Sequence, residues 1–98
     1  MEIVVRQRQV LDGKEMFDCE NTYESIEDLE DAVKEITDNW ADMQGCDAVI
    51  SCPKHLKIGS KFVLSCRTNN DTETLEITDI ILAKYARWNE RFYKEEYV

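Results

Sequence analysis

Apolar residues recur along the middle of the chain at Ile26, Leu29, Val33, Ile36 and Trp40, at spacings of 3, 4, 3 and 4. That spacing is one stripe of an amphipathic helix. Ser25 precedes the stripe and can cap it, with Asp28 three residues on as a shorter form of the capping-box acid. Gly45 offers a stop. A helix over residues 25–42 is predicted. Before it, Ile3 to Val10 is rich in β-branched residues and reads as a strand, with Ile3, Val5 and Gln7 on one face and Val4, Arg6 and Arg8 on the other. Asp12-Gly13 is the dipeptide of a type I′ turn, which needs positive φ at both central positions. Lys14 to Cys19 then returns as the partner strand.

Beyond the helix, Cys46 to Cys52 reads as a short buried strand ended by Pro53, which cannot donate to a ladder. Lys54 to Ser60 connects it to a second hairpin, Lys61 to Thr68 and Glu73 to Thr78, folded around Asn69-Asn70-Asp71. From Asp79 the period changes. Ile81, Tyr85, Trp88 and Phe92 recur at 4, 3 and 4, and Thr78 or Asp79 can cap a C-terminal helix, although Ile80-Ile81-Leu82 suits strand or helix equally. The expected order is ββαβββα. This is an α+β fold, an antiparallel sheet of about five strands with two helices on one face. Its 98 residues make one domain spanning 1–98.

Charge changes the picture. Thirteen acids lie between Asp12 and Asp47, opposed only by Lys14 and Lys34, so this segment carries −11. The rest of the chain holds ten Lys or Arg against eight acids, or +2, which gives the net −9. A surface so one-sided bears on partners rather than on fold.

Within that segment Asp28, Asp31, Glu35, Asp38 and Asp42 repeat the 3, 4, 3, 4 spacing. At 100° per residue their mean direction lies roughly 160° from the apolar stripe. The helix therefore projects a ladder of carboxylates outward over about 21 Å. Glu24, Glu27 and Glu30 widen it. Charge runs are commonly solubilising faces. Here, however, like charges at i, i+3 and i+4 cost roughly 0.2–0.5 kcal/mol per pair with only Lys34 to relieve them, where exposed helices usually alternate signs. DNA spaces its phosphates about 3.4 Å apart along a strand, so a rigid acidic row can occupy a groove built for one. The expected partner is the basic surface of a nucleic-acid-handling protein, captured by charge or by imitation of nucleic acid. In size and charge alone, the chain is similar to the compact acidic inhibitors that phages and mobile elements deploy against such host enzymes. No motif carries that likeness.

The alternative reading uses the C-terminal helix. Lys84, Arg87, Arg91 and Lys94 recur beside its aromatic stripe, a combination that can hold single-stranded nucleic acid by phosphate contact and stacking. Aromatic stripes are more often core, and a net charge of −9 opposes approach to a polyanion. A third option is an assembly subunit whose acidic face keeps it soluble, and a homodimer is compatible with any of these readings.

Catalysis finds little support. Cys19, Cys46, Cys52 and Cys66 lack the paired spacing of zinc modules. A Cys46-Cys52-His55-Cys66 site would need a spacing foreign to them, so the thiols are expected to be small buried side chains on strands. A Cys52–His55 nucleophile pair has no recognisable oxyanion hole, and Lys57-Ile58-Gly59-Ser60 is no P-loop. His55 is expected in a solvent-exposed loop. A non-enzymatic protein without cofactor or metal is expected. The N-terminus lacks the apolar core of a signal peptide and no stretch of 18 apolar residues occurs, so the expected location is the cytoplasm, without a membrane partner.

Overall fold

The computed structural model describes residues 1–43 and 46–81. Strands β1 (Glu2–Leu11) and β2 (Lys14–Tyr23) form the first hairpin, followed by helix α1 (Ile26–Ala41) and strands β3 (Ala48–Ser51), β4 (Lys61–Cys66) and β5 (Thr72–Ile81). The five strands make one antiparallel sheet in the order β2-β1-β5-β4-β3. The expected α+β class and five-stranded sheet are present. Of the two expected helices, one lies among the described residues.

Each local signal has a physical outcome. At the hairpin tip Asp12 and Gly13 have φ of 53° and 77°, the positive pair that a type I′ turn requires. Ser25 caps α1, its Oγ accepting from the Asp28 amide at 3.1 Å. Asp42 is the C-cap, so the helix matches the expected 25–42 with its caps included. The expected stop at Gly45 lies outside the described residues.

The C-terminal expectation needs correction. Residues 79–81 are strand, not the first turn of a helix: Asp79, Ile80 and Ile81 pair with Val4, Ile3 and Glu2. Thr78 and Asp79 cap nothing. The register slips at this point, so that Ile77 faces Val5 and Asp79 faces Val4, leaving Thr78 as the extra residue of a bulge. Its hydroxyl donates to the Val4 carbonyl at 3.3 Å. The bulge returns Ile80 to the face that holds Leu75 and Ile77, where it packs against the core. A three-residue step between inward apolar residues thus imitates a helical period within a strand. The remainder of the expected C-terminal helix, with Lys84, Tyr85, Arg87, Trp88, Arg91, Phe92 and Lys94, lies outside the described residues.

Ile3 and Val5 of β1, Leu75 and Ile77 of β5, and Phe62, Leu64 and Cys66 of β4 pack against Leu29, Val33 and Trp40 of α1. Ile36 packs at the border, while Ile26, the first residue of the predicted stripe, is exposed. The helix begins just after Tyr23, the partner of Ile3, and by Trp40 has reached Glu73, the residue of β5 opposite Gln9. Six residues of strand span about 20 Å, and a 16-residue helix about 24 Å. One helix is therefore just long enough to cover the core along the strands. The loop before β4 is tied to the sheet as well. Ser60 Oγ donates to the His55 carbonyl and accepts from the Lys57 amide, and Gly59, at φ 95°, gives its amide to the Ile77 carbonyl at 2.8 Å.

The core ends in a polar layer. Glu73 is only 3% exposed, and its carboxylate accepts from Trp40 Nε1 at 2.8 Å, Gln7 Nε2 at 2.5 Å and Gln9 Nε2 at 3.1 Å. Asn21 Nδ2 in turn donates to Gln7 Oε1 at 2.9 Å. Glu73→Leu leaves the buried Trp40 N–H without an acceptor and is expected to cost about 1–3 kcal/mol in denaturant unfolding. Trp40→Phe should then cost less in the Glu73→Leu background than in the wild type; equal costs would mean that the two side chains are not coupled.

Candidate acidic interface

The fold divides the acids of the first half of the chain between two faces. Those of β2 stand on the sheet face opposite the helix, across from Arg6 and Arg8. The Arg6 guanidinium holds Asp18 in a two-pronged bond, at 2.9 Å from Nε and 2.6 Å from the terminal nitrogen, and Arg8 bonds Glu15 at 2.7 Å. Antiparallel pairing dictates these contacts, because Arg6 and Arg8 lie opposite Glu20 and Asp18 and reach their diagonal neighbours. The bond from Arg6 holds the Asp18 carboxyl below its ordinary value, and Asp18 raises Arg6 in return.

The helix acids meet no such relief. Glu24, Glu27, Asp28, Asp31, Glu35, Asp38 and Asp42 are all exposed. Among the described residues, the one cation within ion-pair distance of them is Lys34, at 3.4 Å from Asp38, and both side chains are well solvated. Residues 24–42 hold eight acids and one lysine, a net of −7. Glu15 and Asp18 of β2 are thus paired with arginines, whereas α1 carries its acids with a single lysine. The Asp28 amide is engaged by the Ser25 cap, and its carboxylate lies in the first turn, where the helix dipole favours it. Asp38 and Asp42, near the C-terminal end, sit against the dipole without a basic residue in the last turn. Helix stability thus does not account for the acids there.

One flank of the ladder is not polar. Between α1 and the β3–β4 connection runs a groove of about 420 Å³, floored by Val33, Ile50, Leu56 and Phe62 and rimmed by Glu30 and Lys54. An apolar strip beside a charged row is a feature that the helical periodicity did not reveal, because half of it comes from residues distant in sequence.

The cysteines differ from expectation. Cys66 alone is a buried thiol on a strand; Cys46 is half-buried ahead of β3, and Cys19 and Cys52 are exposed. Cys19 faces the helix side of the sheet, opposite Gln7, but stands on the edge strand beyond the helix's cover. His55 is exposed, as expected. No group of three or more His, Cys, Asp or Glu residues placed to hold a metal occurs among the described residues. No helix among them is long and apolar enough to cross a membrane. No protein-family model, curated protein or solved structure matches the chain.

A carboxyl whose pKa is lowered on folding contributes stability that is present above its unfolded value and lost as pH falls through its folded value. Asp18→Asn is accordingly expected to flatten the acid limb of a melting-temperature–pH curve. The effect should be small, because the ion pair is exposed. An unchanged acid limb would show that the two-pronged bond does not outlast solvation.

Proposed function

We propose that this protein is a non-enzymatic binding protein that captures a basic, nucleic-acid-handling protein surface with the outward face of α1. One observation carries the reading. Seven carboxylates on and beside a single helix are exposed and are left with one lysine, while Glu15 and Asp18 of the neighbouring hairpin are paired with arginines. The buried side of the helix holds it against the sheet, so the carboxylates form a rigid row rather than a mobile tail. Rigidity reduces the entropy that binding must overcome. The row of about 21 Å matches the reach of several phosphates along a nucleic-acid strand, which favours imitation of nucleic acid, of the kind used by phage and mobile-element inhibitors, over simple charge attraction. The apolar groove beside the row offers contact area that charge alone lacks.

Reversing Asp31, Glu35 and Asp38 to Lys changes the charge of this face by six units and leaves Leu29, Val33 and Trp40 untouched. The fold should persist, measured by an unchanged far-ultraviolet circular dichroism spectrum, while capture of partner from a cell lysate should be lost, since like charges would meet across the interface. Wild-type capture should weaken with added salt. A DNA or RNA fragment should displace a mimic's partner by competing for one site. Capture by the triple reversal equal to that of wild type would reduce the acidic face to a solubility feature.

A further inference from the structure

We propose that the apolar groove beside α1 is a docking site for the chain's own C-terminal segment, residues 82–94. Val33, Ile50, Leu56 and Phe62 floor the groove, and Glu30 and Asp38 stand on the helix side of its rim. Val33 and Phe62 belong to the core, so the groove opens onto the core itself. Covering such a surface removes apolar area from water. Along the helix, the eight residues from Glu30 to Asp38 give the groove a length of about 12 Å.

Position and length favour this occupant. β5 ends at Ile81 opposite Glu2, and α1 begins just after Tyr23, the partner of Ile3. The chain therefore leaves the sheet at the end where the helix starts. β4 begins only at Lys61, opposite Glu76; beyond it the loop before β4 is bonded to β5 through the Gly59 amide and the Ile77 carbonyl. Leu56 of that loop is part of the groove floor. Ile81 is four residues past Ile77, or about 13 Å of strand. Residues 82–98 reach about 25 Å even at the rise of a helix, enough to turn back and run the length of the groove. So short a tether holds the segment at a roughly millimolar effective concentration, which favours its own groove over that of a second copy.

Charge and composition match as well. Residues 82–94 carry Lys84, Arg87, Arg91 and Lys94 against Glu90, a net of +3, whereas residues 24–42 carry −7. The cations alternate with Tyr85, Trp88 and Phe92. An apolar floor beside an acidic rim is complementary to that sequence: the aromatics fill the groove, and the cations stay at its wet edge by Glu30 and Asp38. On the reading of the acidic face given above, a basic partner then reaches the carboxylate row by displacing the chain's own cations from beside it. The docking itself does not rest on that reading.

The test uses the full chain and two readouts, neither of which involves a partner. A carbodiimide should join Lys84 or Lys94 to Glu30 or Asp38 within one chain, with the loss of one water, as located by peptide mass spectrometry. Cys52 lines the groove, and Cys19 stands away from it on the edge strand β2. Trp88→Ala should therefore speed labelling of Cys52 by a neutral maleimide several-fold and leave Cys19 unchanged, while buried Cys66 stays unlabelled as a sign that the fold persists. Arg87→Glu with Arg91→Glu, which keeps the aromatics, should lose the cross-links. Cross-links that form only between chains, or only to carboxylates of β2, would overturn the proposal, as would a wild-type chain without any. A Cys52 rate indifferent to Trp88→Ala would overturn it too.

Discussion

The hydrogen bond from Trp40 to Glu73 fixes how the helix sits on the sheet. Glu73 lies on β5, the middle strand, with no cation within ion-pair distance among the described residues, and a carboxylate buried without partners is costly. Three donors offset that cost, and one of them comes from the helix. Apolar contacts alone would tolerate some rotation of α1 about its axis. A directional bond to a buried charge does not, because turning Trp40 away leaves both partners unsatisfied. The direction of the opposite face, where the carboxylates stand, is set by this bond inside the molecule.

The same sheet separates two kinds of acid that are indistinguishable by composition. A carboxylate on β2 has a neighbouring strand about 4.8 Å away, and that strand carries arginines at the matching positions. A carboxylate on the outer face of α1 has only its own helix for company, and the sequence places Lys34 alone there. Compensation follows from the presence of a second element alongside. The densest run of charge without arginine partners therefore lies along a single helix.

How far the structure could be read in advance depended on how local each signal was. The Asp12-Gly13 turn, the Ser25 cap and the Leu29-Val33-Trp40 stripe are set by neighbouring residues, and all three are where periodicity and turn chemistry put them. Gln7 was legible as sharing a face with Ile3 and Val5, but its reason for being there, a carboxylate 66 residues away, was not. Thr78 marks the opposite failure: pairing with the N-terminal residues of β1 draws β5 onward through a bulge, and a one-residue insertion in a strand leaves a spacing that a helix also produces. The outward direction of the ladder was legible. The arginine contacts that single it out, and the groove beside it, depend on strand order and were not.

The two strands at the heart of the sheet, β1 and β5, come from opposite ends of the described chain, with Val5 facing Ile77. On a ribosome, the first hairpin and the acidic helix are synthesised before the strand that supplies Leu75, Ile77 and Glu73. Until then Ile3, Val5 and Trp40 have no complete surface to bury against, and closing so long a loop slows folding. The nascent chain passes through an interval with its apolar residues open to neighbours. During that interval the dense negative charge of residues 24–42 is already present, and it keeps neighbouring nascent copies apart by mutual repulsion.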